Sequence, residues 1–142
     1  MGLDDTLHLG LLADTYLHLG DPEAALGALD EALALAAREH AVFYEPELLR
    51  LRAVALDRTG APAAEIHAVL AAALETARRH GARSLALRVA LTRASVWART
   101  GRAAAGRVVV AEELAGFSEG HDTPDLRAAA VLLGREPAGP VA

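Results

Sequence analysis

The chain contains no cysteine. Disulfides, thiol nucleophiles and thiolate-ligated metals are therefore excluded. It contains no lysine either: all 14 basic residues are arginine, and Asn and Gln are missing as well. The absence of lysine removes the phosphate-binding glycine-rich loop that ends in Lys. The narrow polar alphabet reads as coding bias more than as part of a site. Aromatic residues make up only 4% of a chain that is 53% hydrophobic. Its core must then be built from Ala, Leu and Val. β-branched residues are sparse outside "RVVVAEEL", so closely packed helices are favoured over sheets. No apolar run reaches the length that spans a bilayer. The opening "MGLDDTLHLG" carries acids where a secretory leader needs basic residues. A soluble, cytoplasmic protein is the expectation.

At 142 residues the chain is long enough for one domain with a real core. Its net charge of −5 disfavours nucleic-acid binding. Residues 1–71 hold 12 acids and 4 Arg, whereas residues 72–142 hold 7 acids and 10 Arg. Such an acidic front and basic back either guide docking or simply mark solvated helix faces.

Three helix-ending signals recur along the chain: "HLGDPEAAL" at Gly20, "RTGAPAAEI" at Gly60 and "RTGRAAAGR" at Gly101, spaced by 40 and 41 residues. Glycine suits the left-handed residue that closes a helix, and Pro22 and Pro62 suit the first turn of the next. The pattern predicts helices near 4–19, 22–39, 46–59, 62–80, 83–99, 102–116 and 124–133. The first six form three antiparallel hairpins over 4–39, 46–80 and 83–116. Within the first hairpin, Leu9, Leu12, Ala13 and Tyr16 recur at helical spacing, as do Leu26, Leu29 and Leu33 in its partner. Small residues such as Ala25 and Ala32 allow close approach.

The segment "GFSEGHDTPDLRAAAVLLG" interrupts this rhythm. Phe117 closes the sixth helix and Gly120 breaks it. Thr123 is placed as an N-cap, Pro124 at the first helical position, and Asp125 at the positive end of a last helix. Leu126, Ala129, Leu132 and Leu133 form its apolar stripe. A terminal cap is the expected role, since each repeat of a solenoid buries its face only on a neighbour. Residues 135–142, "REPAGPVA", read as a disordered tail.

In its first hairpin the chain resembles a tetratricopeptide repeat: Leu9, Leu12, Ala13, Tyr16, Ala25, Leu29 and Ala32 fall where that family's pattern asks for its large and small residues. The third hairpin matches with Ala94, Trp97, Gly106 and Val110. In the second, Ala53 and Leu56 match, while Arg52 falls where the family prefers Leu. Four blocks occur in order: "LLADTYLHLGDPEAALGALDEALALA", "FYEPELLRLRAVAL", "ALETARRHGARSLALRVALTRASVWARTGR" and "FSEGHDTPDL". Together they resemble the C-terminal repeat region of bacterial multidomain signalling regulators that carry cyclase-like or ATPase modules. The resemblance implies an all-α fold over residues 1–134, with a right-handed superhelix of three hairpins and a capping helix. It also implies a regulatory or protein-binding role.

No catalytic constellation is visible. His8, His18, His40, His67, His80 and His121 show no H-E-x-x-H and no second ligand at helical spacing. Glu119, His121 and Asp122 lack a completing ligand. "FSEGHD" is not a nucleophile elbow. The adjacent pairs Asp4-Asp5 and Glu112-Glu113 point to different faces and form no acid–base dyad. The expectation is therefore no enzyme, no cofactor and no metal.

The resemblance carries a concave groove lined by the first helix of each hairpin. Its inward polar positions are Asp14, His18, Glu47, Arg50, Asp57, Arg58, Arg88, Ser95 and Arg99. Four arginines there suit an acidic or carboxylate-bearing protein segment; the alternative is that all nine are merely solvated. The competing function is a small-molecule effector sensor. Leu3, Leu7 and Leu11 further extend the apolar surface of the first helix, which points to a homodimer formed through it.

Overall fold

The computed structural model describes residues 3–39, 42–117 and 123–134, and among them every regular element is helical. The elements are α1 (Leu3–His18), α2 (Pro22–Arg38), a 3₁₀ turn (Val42–Tyr44), α3 (Glu45–Arg58), α4 (Ala63–Arg79), α5 (Arg83–Arg99), α6 (Ala103–Leu114) and α7 (Pro124–Leu132). The expected helices differ from these by no more than two residues at either end.

The boundaries are sharp because they are set by local chemistry. Gly20 adopts φ 80°, a conformation that a Cβ disfavours. Its N–H donates to the Leu17 carbonyl, and the Asp21 N–H donates to the Tyr16 carbonyl at 2.9 Å. These two bonds close α1 in a Schellman turn. Asp21 then starts α2, its Oδ1 accepting the Ala24 N–H at 3.1 Å. The same pair of backbone bonds recurs at Gly60 and Gly101, and again at Gly81 between α4 and α5.

Consecutive helices pack on one another: α1 with α2, α3 with α4, α5 with α6, and α2 with α3 and α4 with α5 between these pairs. α3 also touches both α1 and α5, so α1, α3 and α5 lie side by side. The core is a chain of three apolar clusters. The first joins α1, α2 and α3 around Ala13, Leu29, Ala32 and Leu51. The second joins α3, α4 and α5 around Leu56, Ile66, Leu70 and Val89. The third joins α5, α6 and α7 around Leu87, Ala94, Val110 and Leu126.

Two details differ from the periodicity reading. Leu12 is 42% exposed; it lies off the stripe of Leu9, Ala13, Tyr16 and Leu17 that packs toward α2. Arg52 is half-buried, with its Nε 3.3 Å from Asp30 on α2. Its long side chain crosses the helix interface where a Leu would otherwise fill it.

At the end of the fold, Thr123 Oγ1 accepts the Leu126 N–H at 3.2 Å and caps α7. Leu126 and Ala129 are buried against α5 and α6. Leu132 stays exposed, so the apolar stripe of α7 is narrower than its sequence implies. Phe117 packs against the same cluster, three residues beyond α6. Gly120, the trio Glu119, His121 and Asp122, His40, and residues 135–142 lie outside the described residues. Among the described residues no helix is long and apolar enough to cross a membrane.

Candidate functional site

The face shared by α1, α3 and α5 carries two adjoining hollows. One, of about 290 Å³, lies between α1 and α3 and is lined by Thr6, Leu7, Gly10, Leu11, Asp14, Tyr44, Glu47, Leu48 and Leu51. The other, of about 650 Å³, lies between α3 and α5 and is lined by Val54, Asp57, Arg58, Leu91, Thr92, Ser95, Arg99 and Asp125 among others. Arg50 and Arg88 line both and form the ridge between them. Helical spacing explains the alignment. Arg50, Val54, Asp57 and Arg58 lie on one side of α3, and Arg88, Leu91, Thr92, Ser95 and Arg99 on the matching side of α5.

Eight of the nine residues expected in the groove line these hollows. His18 does not; its ring nitrogen Nδ1 lies 2.8 Å from the Asp14 carbonyl at the end of α1. Asp125, Thr92 and Tyr44 were not foreseen. Asp125 reaches the second hollow from α7, and its carboxylate accepts from Arg88 Nε at 3.0 Å. No local spacing reveals a pairing across 37 residues.

The electrostatics differ from four free arginines. Arg50 donates from Nε and Nη2 to both carboxylate oxygens of Glu47, at 2.8 and 2.6 Å. The two side chains are only 17% and 23% exposed. Burial opposes the charge of Arg50. The Glu47 bond and the charges of Glu47, Asp14 and Asp125 more than offset it and hold its pKa above the usual value. Arg88 bridges Asp125 and, at 3.9 Å, Glu47. Arg99 pairs with Asp57, and Arg58 donates to the Leu17 carbonyl at 2.5 Å. The groove arginines are thus engaged within the chain, with Glu47, Asp57 and Asp125 as their carboxylate partners, while Asp14 acts on Arg50 through its charge alone.

A second polar cluster lies apart from the groove. The ring of His67 on α4 stacks on Trp97 of α5, with centroids 4.7 Å apart, and the Arg93 guanidinium lies 4.3 Å from the Trp97 ring. Both His67 nitrogens and Arg93 Nε are buried without hydrogen-bond partners among the described residues. Burial, with help from Arg93 and Arg102, lowers the His67 pKa. Burial and the charge of Arg78 lower that of Arg93.

Among the described residues, no group of three or more His, Asp or Glu is placed to hold a metal ion. No family model, curated protein or solved structure matches the chain.

Proposed function

We propose that the chain is a non-catalytic interaction module that binds a polypeptide segment along the face of α1, α3 and α5. In this reading the three helix pairs form a short tetratricopeptide-like array in a right-handed superhelix. α7 closes its end, and the module serves a cytoplasmic signalling or transcription-regulating protein. The observation that carries it is the pair of adjoining hollows running along one face across three successive first helices. The packing supports the same reading. α1, α3 and α5 touch side by side, while no comparable packing joins α2 to α4 or α4 to α6. Helices drawn together on one side and splayed on the other give a concave inner face. An extended segment in such a face makes graded contacts from apolar to polar, which suits peptide recognition.

The test is panning of a random dodecapeptide library on the intact chain, followed by anisotropy with the enriched peptide. Ser95→Trp fills the α3–α5 hollow and is expected to weaken binding at least about ten-fold, a typical hot-spot effect. Val108, an exposed residue of α6 outside both hollows, provides the control: Val108→Glu should bind unchanged. Loss in the control but not in the groove variant moves the site elsewhere. Arg50 is unsuited to this test, because reversing a clamped, largely buried charge disturbs folding as well as binding. An effector-sensing role predicts a different outcome: no enriched peptide, and a small molecule whose binding depends on the same groove residues.

A further inference from the structure

The hollow between α1 and α3 is flanked by an unusual glycine. Gly10 sits in the middle of α1, where the helix runs through without a break. Its φ is not among the positive values that require glycine. A mid-helix Gly costs about 1 kcal/mol relative to Ala, and no turn here needs it. A Cβ at this position would meet Leu48 Cδ2 at 3.2 Å, and any longer side chain would enter the hollow. Leu48 takes up the room a Cβ would need, and the hollow beside it leaves space for one large apolar group between Leu7, Leu11 and Leu48. Thr6, fully buried at the same hollow, keeps a hydroxyl with no hydrogen-bond partner among the described residues.

The rim of this hollow is not neutral. Glu47 is clamped by Arg50 and approached by Arg88. Asp14 has no such clamp. Its carboxylate is half-exposed, and the ion-pair partner beside it among the described residues is the His18 ring at 3.6 Å. The surrounding half of the chain has 12 acids against 4 Arg. An incoming carboxylate would face Asp14 and Glu47 with the nearby arginines already engaged, whereas an incoming cation would find an open partner.

We infer that the hollow walled by Leu7, Gly10, Leu11 and Leu48 takes a large apolar side chain of a partner polypeptide, with an adjacent Lys or Arg closing on Asp14. This rests on the groove-binding reading above, and it gives the α1 end of the partner segment a basic rather than an acidic character.

The panning experiment separates the two claims. Enriched sequences are expected to share a Leu, Met or Phe next to Lys or Arg. Acidic or purely apolar enriched sequences overturn this inference but leave groove binding standing; no enrichment at all overturns both. With the enriched peptide, Asp14→Asn should weaken binding about three-fold, as for an exposed ion pair. Asp14→Arg should weaken it at least about ten-fold through like-charge repulsion. The same Asp14→Arg variant should bind more tightly a peptide in which Glu replaces the basic residue. Unchanged affinity in both Asp14 variants overturns the inference. Gly10→Met, checked for intact helicity by circular dichroism, should abolish binding by occupying the hollow. A folded Gly10→Met protein that binds normally is equally fatal. If that variant does not fold, the Asp14 charge swap decides alone.

Discussion

At the scale of single residues, the stack of His67, Trp97 and Arg93 makes a specific pH prediction. Trp97 is the one tryptophan of the chain, so its fluorescence reports this cluster directly. The His67 pKa is lowered on folding, first by burial and then by the charges of Arg93 and Arg102. A histidine shifted this way contributes fully above its unfolded value of about 6.5, and that contribution is lost as the pH falls below it. Melts followed by Trp97 emission should therefore lose stability as the pH falls below about 6.5. His67→Phe keeps the stacking and should flatten that part of the profile; a parallel profile in the variant would remove His67 as its cause. The partnerless ring nitrogens explain why phenylalanine is a suitable replacement, since no hydrogen bond is lost. Sequence showed His67 only as a lone histidine. Its stacking partner lies 30 positions away on another helix, and neither period nor composition connects them.

At the scale of elements, two glycines inside helices should respond in opposite ways to the same substitution. Gly106 of α6 packs so closely on α5 that an added Cβ would lie 2.7 Å from Ala94 Cα and 2.8 Å from its Cβ. Backbone cannot yield as a flexible side chain can, so Gly106→Ala forces α5 and α6 apart and should cost about 1–3 kcal/mol. Gly27 of α2 is exposed, with nothing within 4 Å of the Cβ it lacks. Gly27→Ala should stabilise by about 0.5–1 kcal/mol through helix propensity alone. Urea denaturation of both variants provides the check, and a shared sign would refute the packing argument. α7 offers a third test. Leu126 is its one buried leucine, and Leu126→Ala should cost about 2–5 kcal/mol as a large-to-small core change. An unchanged melting temperature would deny α7 its capping role.

The elements were the most legible part of the sequence, for a physical reason. Gly20, Gly60 and Gly101 end helices through bonds that span five residues, so the signal is local and readable. Which residues of α3 and α5 share a side was legible too, because helical periodicity fixes it. The electrostatic state of that groove was not. Arg88 meets Asp125, and Arg58 meets the Leu17 carbonyl, across 37 and 41 residues. The hollow at Gly10 was equally hidden, since a mid-helix glycine looks the same whether it faces a void, a neighbour or solvent.

For the whole molecule, the core is a row of three clusters that share helices α3 and α5, with no single centre. Each end of such a row leaves apolar surface. On α1, Leu7, Leu11 and Leu12 are exposed, Leu11 to 56%, and so is Leu19 just beyond its end. We expect the chain to self-associate through this helix at tens of micromolar, about where weak dimers become populated. Sedimentation velocity should show a dimer that Leu12→Glu dissociates, and a monomer at every concentration would exclude it. Leu11 also lines the α1–α3 hollow. A peptide that fills the hollow should accordingly shift the dimer toward monomer.

Arg58 and Arg99 sit at corresponding places near the ends of α3 and α5, and each reaches the end of the first helix one unit earlier: the Leu17 carbonyl for one, the Asp57 carboxylate for the other. At these two helix ends the handle belongs to the later helix and the socket to the earlier, whereas Arg78 of α4 reaches forward to Glu113 of α6 and Arg88 of α5 to Asp125 of α7. The ends of α1 and α3 are consequently fastened in one direction, like a zip. Withdrawing a later unit strips a donor from the helix end before it, while withdrawing an earlier unit only releases an arginine into water. Arg58→Ala should then speed amide exchange around Leu19 and Gly20, one unit upstream, before it loosens α3 itself. At that fastening, damage to α3 should show first at the end of α1.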